Sequence, residues 1–323
     1  MSEMEYTYAV ARIRALEVSL FSQSTIDALM ACKTSQAALN LIVEKGWGGM
    51  NVPEEADAIL AAERSKIWTT IRELGVPMDT FDVLSYPNAF HNLKTAVKES
   101  YLSVKRDECY YDNTVPSRDE FREIISKKEF YRLPKNMEAA AAEAWETIQH
   151  TGDGQLCDVI IDAACLSAVE AAGRESKEEI IRKYAETVVA AANIKIAVRC
   201  EKTGKSMDFM KRALVPCGSL DVERLAKAAL SGFDAVCDYL SASGYGAAAD
   251  ALRESPSAFE CWCDNYLIDM IRPQKYNAFS VGPLVAYVLA RENEIKTVGI
   301  ILSGKENGLS DDSIRERIRE MYV

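Results

Sequence analysis

Three eight-residue stretches of this chain echo one another at equal intervals. His91-Asn92-Leu93-Lys94-Thr95-Ala96-Val97-Lys98 matches Ala192-Asn193-Ile194-Lys195-Ile196-Ala197-Val198-Arg199, and both match Asn293-Glu294-Ile295-Lys296-Thr297-Val298-Gly299-Ile300. Their lysines, Lys94, Lys195 and Lys296, stand 101 residues apart in both steps. Weaker echoes are Gly204-Lys205-Ser206 beside Gly304-Lys305, and Gly46-Trp47 beside Gly244-Tyr245. Solenoid units run roughly 20 to 50 residues, so a repeat this long is domain-sized. The 323 residues are therefore expected to hold three related modules, 1–115, 116–214 and 215–323. The divisions fall in the polar, Pro-containing clusters Tyr111–Ser117 and Val215–Ser219. Three like modules in a row suggest a pseudo-threefold body with a central hole or cleft.

The periodicity inside these modules is helical. Ala9, Ile13, Leu16 and Leu20 form a stripe at spacings of four, three and four, with Arg12, Arg14 and Glu17 off it. Ile314, Ile318 and Met321 repeat the pattern near the other end. Ser176 and Glu179 read as a capping box opening a long helix with Ile180, Tyr184, Val188, Ala191, Ile194 and Val198 on its apolar side. Gly204 is its expected stop, because glycine takes the left-handed conformation cheaply. Gly282-Pro283 starts another long helix, and Gly304 is expected to end it. Alternating β-type runs are nearly absent. The expected class is all-α.

Charge narrows the function classes. Lys plus Arg is 38 and Asp plus Glu is 49, a formal charge of −11 with no basic run. Nucleic-acid binding needs a cationic surface and is set aside. The longest apolar runs, such as Val285–Ala290 and Val298–Leu302, fall far short of the roughly 20 residues a membrane helix needs. Glu3 and Glu5 stand where a signal peptide carries Lys or Arg, which points to a cytoplasmic chain. The nine cysteines are scattered, and Cys261-Trp262-Cys263 is not a zinc spacing. Buried thiols in a reducing compartment are expected.

A search for chemistry finds no catalytic, cofactor or metal site. Only two histidines occur, and neither pairs with a nucleophile at a readable spacing. His91 reads as a surface or packing residue and His150 as exposed before a turn. Gly204-Lys205-Ser206 ends like a phosphate-binding loop, but Arg199 stands where that motif needs its first Gly, and a helix precedes it in place of a strand. The pairs Glu54-Glu55, Glu178-Glu179 and Asp311-Asp312 sit at helix starts, where the macrodipole favours them. Asp107, Glu108 and Asp112 flank Tyr110-Tyr111 without the ligand pattern of a calcium loop.

At this point the residues resemble a known family. Tyr8–Glu17, Ala192–Arg199 with Lys202–Ser206, Leu214–Leu220, and above all Tyr287–Lys296 with Ile300–Leu309 are similar to the C subunit of bacterial and archaeal V/A-type ATPases. Its eukaryotic relative is the vacuolar ATPase d subunit. The resemblance covers most of the chain and is thinnest over residues 120–175. It implies three related helical domains forming a pseudo-threefold funnel, with no catalytic residues, cofactor or metal. One end would rest on the cytoplasmic face of the proteolipid ring, and the funnel would receive the central stalk. The chain would then couple ATP-driven proton or sodium transport, or ATP synthesis, touching the membrane only through the ring. Gly299 and Glu306 depart from the family pattern, and Gly299 puts one helix contact in question. Lys94, Lys195 and Lys296 either face the cavity or ring loops, or border their apolar stripes and snorkel to solvent. Two other classes stay open: an all-helical scaffold unrelated to ATPases, and a small-molecule enzyme with a site between helical domains.

Overall fold

A computed structural model describes residues 6–112 and 114–323. Glu3 and Glu5, which bear on the N-terminal reading, and Asn113, in the first boundary cluster, lie outside the described residues. Sixteen α-helices and no strand occur among the described residues, so the fold is all-α. In chain order they are α1 (Thr7–Glu17), α2 (Gln23–Ala31), α3 (Ser35–Glu44), α4 (Ala56–Glu73), α5 (Asp82–Leu102), α6 (Arg118–Lys127), α7 (Lys135–Thr151) and α8 (Gly154–Glu175). There follow α9 (Glu179–Lys202), α10 (Met207–Ala213), α11 (Val222–Ser231), α12 (Phe233–Ala242), α13 (Gly246–Glu254), α14 (Pro256–Ile271), α15 (Gly282–Glu306) and α16 (Asp311–Arg315). The three echoing stretches lie on α5, α9 and α15. Two compact units form, one of Met1–Met78 with Asp250–Val323 and the other of Asp79–Ala249.

In the first unit α15 is the central rod, packed by α1, α3, α4 and α14. Leu284, Val285, Ala286, Val288, Ile295, Val298 and Ile301 are all buried, which covers the helix all round instead of along one stripe. Gly299 does not break the contact placed in question: a Cβ there would stand 3.4 Å from Leu60 of α4, ordinary packing distance. Gly304 is not the helix stop. α15 runs to Glu306, and Gly308 takes the left-handed φ of 65°, with the Leu309 amide donating to the Gly304 carbonyl. Gly304 is needed for closeness: a Cβ there would meet Ile314 at 2.7 Å.

The C-terminal stripe also departs from expectation. Helix covers only Asp311–Arg315, and the chain from Ile318 onward is irregular. Tertiary bonds replace helical ones there: Arg319 donates to Asp264, and the Glu320 amide donates to Asn265. Local periodicity is outcompeted by half-buried polar partners on α14.

In the second unit α5 packs on α6, α7 and α8 through Phe90, Leu93, Val97, Phe121, Ile124 and Ile161. α9 packs on α8, α11 and α12. The α8–α9 contact is close because Gly173 has no side chain; a Cβ would fall 2.3 Å from that of Ala185. Gly204 does end α9, at φ 60°, and Ser206 caps α10 by accepting the Phe209 amide. The capping box expected at Ser176 is absent. Ser176 instead accepts the Glu178 amide while its own amide closes α8, because only two residues separate it from the next helix. A complete capping box forms at Ser117 and Glu120 of α6. Cys157 and Cys165 are buried, and burial pushes their thiols up to about 11 and about 12.

Candidate functional site

The repeat register places an asparagine two residues before each of the first two lysines. Asn92 and Asn193 are fully buried inside otherwise apolar helix faces. Asn92 donates to the Tyr111 carbonyl at 2.8 Å and accepts the Tyr111 amide at 2.9 Å. Asn193 does the same to Val215, at 2.7 and 3.0 Å. A primary amide presents one donor edge and one acceptor, so it matches a peptide group leaving regular structure. Each buried backbone group must find a partner, and these clips supply it. They bind the segment after each long helix back onto that helix.

The third position in this register is Glu294, and the clip is redistributed. Asn293 donates to the Glu320 carbonyl at 2.9 Å while Asn265 of α14 accepts the Glu320 amide. Glu294 enters a different arrangement. Arg291 Nη2 donates to Glu63 Oε2 of α4 at 2.6 Å, and Nη1 lies 3.0 Å from Glu294 Oε2. Glu63 Oε1 also accepts the Gly48 amide at 2.8 Å and the Lys66 ammonium at 2.5 Å. The Arg291 guanidinium lies 5.1 Å from the Trp47 ring centroid, and Phe21 stacks on Trp47 at 5.0 Å. Glu63, Arg291 and Glu294 are all buried. Burial pushes the Glu294 carboxyl up to about 7, against the pull of Arg291.

Each repeat lysine has its own surroundings. Lys94 donates to Asp162 of α8 at 2.7 Å, and Lys296 donates to Asp264 of α14 at 2.6 Å, where Arg319 also binds. Lys195 is half-buried on α9. Other polar clusters brace loops. Glu186 of α9 accepts the Gly218 and Ser219 amides at 2.9 and 2.7 Å. Burial alone would raise its carboxyl, but the Ser219 hydroxyl and these amides hold it below the usual range. Glu99 of α5 takes both Arg122 nitrogens at 2.8 and 2.9 Å together with the Tyr110 hydroxyl. Burial opposes, yet these donors hold Glu99 down to about 2.

His91 packs edge-on to Tyr111 and bonds the Cys109 carbonyl through Nε2; His150 is exposed in the last turn of α7. Asp107 is taken up by Arg122 at 2.7 Å. The described geometry thus organises buried clips and ion pairs that fix helices and loops. Sequence reasoning singles out the lysines and passes over Asn92 and Asn193, which share the same period. A polar residue recurring within an apolar stripe is the available signal. Nothing in the sequence points to Glu63 as the partner of Arg291.

The profile of the family described as ATP synthase (C/AC39) subunit matches residues 9–317. The chain belongs to this family. It is similar to the C subunit of the V-type sodium ATPase of Enterococcus hirae, with 23% identity over 99% of both chains. It is also similar to the C subunit of the A-type ATP synthase of Methanocaldococcus jannaschii, with 22% identity over 96% of this chain and 85% of that one. The C subunit of a Desulfurococcus A-type ATP synthase is 27% identical over 46% of this chain and 42% of its own. Membership makes the chain part of a V/A-type ATPase complex. Among the described residues no helix is long and apolar enough to cross a membrane. The Arg291, Asn293 and Glu294 side chains all fall within Tyr287–Lys296, the run that carries the resemblance most strongly.

Proposed function

We propose that this protein is the non-catalytic rotor socket joining the central stalk to the proteolipid ring on the cytoplasmic face. The family match over residues 9–317 carries the reading. The body is also suited to it: torque transmission needs stiffness, and close-packed helices with low compressibility pass strain on. Buried clips at Asn92 and Asn193 brace two of the repeated helices in the same way. That recurrence supports three related modules, 1–115, 116–214 and 215–323, arranged as a pseudo-threefold funnel. In this reading the funnel receives the stalk, and the complex transports protons or sodium, or runs towards ATP synthesis.

Lys94, Lys195 and Lys296 are the proposed interface residues. The ammonium groups of Lys94 and Lys296 already meet aspartates, so they would set orientation and salt sensitivity more than affinity. Charge reversal at all three positions tests this role; unchanged coupling of ATP hydrolysis to ion transport would remove them from the interface. The wider reading is tested by purifying the tagged chain from detergent-solubilised membranes at low and high salt. Recovery with a proteolipid ring and stalk proteins supports the socket. A monomer free of both, from cells expressing the rest of the complex, overturns it in favour of a helical scaffold.

A further inference from the structure

The buried cluster on α15 holds two carboxylates around one guanidinium, and it holds them unequally. Glu63 receives three strong donors: Arg291 at 2.6 Å, Lys66 at 2.5 Å and the Gly48 amide at 2.8 Å. Glu294 receives one long bond, from the Phe21 amide to Oε1 at 3.3 Å. Its Oε2 lies 3.0 Å from Arg291 yet makes no directed hydrogen bond, although it is buried. A buried carboxylate oxygen without a donor is costly when charged. Of the two groups, Glu294 is therefore the one the fold prepares to take up a proton.

We propose that Glu294 exchanges a proton in the folded protein, and that its charge state sets how Arg291 is shared and how firmly the turn from α1 to α2 is held. Ionised, Glu294 draws on Arg291 and accepts the Phe21 amide as an anion. Protonated, it leaves Arg291 to Glu63 and offers the amide only a neutral acceptor. The Phe21 ring stacks on Trp47, over which Arg291 lies, so the aromatic pair reports the same change. Phe21 also lines an open hollow of about 700 Å³ bordered by Leu20, Ser22 and Lys45, which makes the turn one wall of a solvent-facing space.

One neighbour titrates in the same range: burial also pushes the Glu292 carboxyl of α15 up to about 7, against the pull of Arg64 of α4. The Phe21 amide donates to Glu294 and not to Glu292, so it reports Glu294. The other surrounding charges do not compete for this role. From α4 come Glu63 and Lys66, already joined. On α1, Arg14 is bound to Glu17, and Tyr287 of α15 has its hydroxyl raised by burial. Asp27 of α2 meets Arg315 of α16, and Asp311 of α16 lies near Lys305. Asp264 of α14 holds Lys296 and Arg319, while Arg272, following α14, holds Glu320. Lys45, following α3, lies 6.0 Å from the Phe21 ring centroid. Burial places the Glu294 exchange near neutrality, at about 7.

The test is carboxyl carbon NMR of the full chain with labelled glutamate, the Glu294 signal being assigned through bonds in the unmutated protein. Amide exchange at Phe21 is followed beside it. The expected result is a Glu294 titration midpoint near 7 and Phe21 protection roughly fivefold lower at pH 6 than at pH 8, the difference between a charged and a neutral acceptor. Glu294→Gln should make that protection independent of pH. A Glu294 carboxyl that titrates below pH 5 overturns the proposal. So does a pH dependence at Phe21 that persists in Glu294→Gln.

Discussion

Arg291 and Glu63 meet at 2.6 Å inside the first unit, although they stand 228 residues apart in the sequence. Their pairing ties α15 to α4, and through the Gly48 amide on Glu63 it also fixes the loop between α3 and α4. Removing Arg291 leaves Glu294 buried without a cation and Glu63 with only Lys66 and the Gly48 amide. Arg291→Ala is expected to lose about 3 to 5 kcal/mol, read by denaturant unfolding. Replacing Arg291 and Glu63 with methionine should recover part of that loss, because it removes one of the two buried carboxylates, while Glu294 stays and the Gly48 amide loses its acceptor. A double variant as unstable as the single one would show that the packing of Arg291 on Trp47 matters more than the ion pair.

The asparagine clips predict a local effect. Asn193→Leu leaves the Val215 amide and carbonyl buried without partners, at a cost of about 1 to 3 kcal/mol for each stranded group. Hydrogen exchange should accelerate at Val215 well before the core of α9 is affected. Asn92→Leu should act in the same direction but more weakly at Tyr111, whose bonds to Asn92 are only partly buried and can be replaced by water. Uniform acceleration across the second unit would mean that the clips support the whole fold and not the loops alone.

Two carboxylates predict opposite responses to pH. Glu99 is depressed to about 2 by Arg122 and its other donors, so its stabilisation is present above the unfolded value near 4.5 and is lost as pH falls towards 2. Glu294 is raised to about 7, so its folded state holds a proton that the unfolded state has released. The stability it contributes is present below about 4.5 and is lost as pH rises through 7. Stability measured at several pH values should lose part of its acid slope in Glu99→Gln, the rest coming from other lowered carboxylates such as Glu186. Glu294→Gln should reduce the slope between pH 5 and 8, leaving the part contributed by Glu292, which burial also raises to about 7.

Two glycines of α15 should respond differently to the same substitution. At Gly304 a methyl would collide with Ile314, so Gly304→Ala should destabilise by about 1 to 3 kcal/mol, and by less in an Ile314→Ala background, which removes the colliding Cγ1 and Cδ1. Gly299 faces Leu60 at a tolerable 3.4 Å, and helix propensity favours alanine by about 1 kcal/mol. Gly299→Ala should therefore be neutral or stabilising in thermal unfolding. A loss at Gly299 equal to that at Gly304 would show that Leu60 cannot yield.

The sequence by itself determined the helical class, the three long repeated helices, the stop at Gly204 and the start at Gly282-Pro283. All of these follow from apolar spacing and from the backbone preferences of glycine and proline, which are local. It carried the family too, since the motif-bearing runs lie in those same helices. Tertiary structure decided where local rules meet a competitor. Gly304 reads as a stop until Ile314 is seen to need its missing side chain, and the 314–321 stripe reads as helix until Asp264, Asn265 and Asn293 capture its polar groups. The buried charge cluster was illegible for the same reason. Arg291 and Glu294 look like the polar side of an amphipathic helix until α4 brings Glu63 against them, and only burial turns such groups into a partnership.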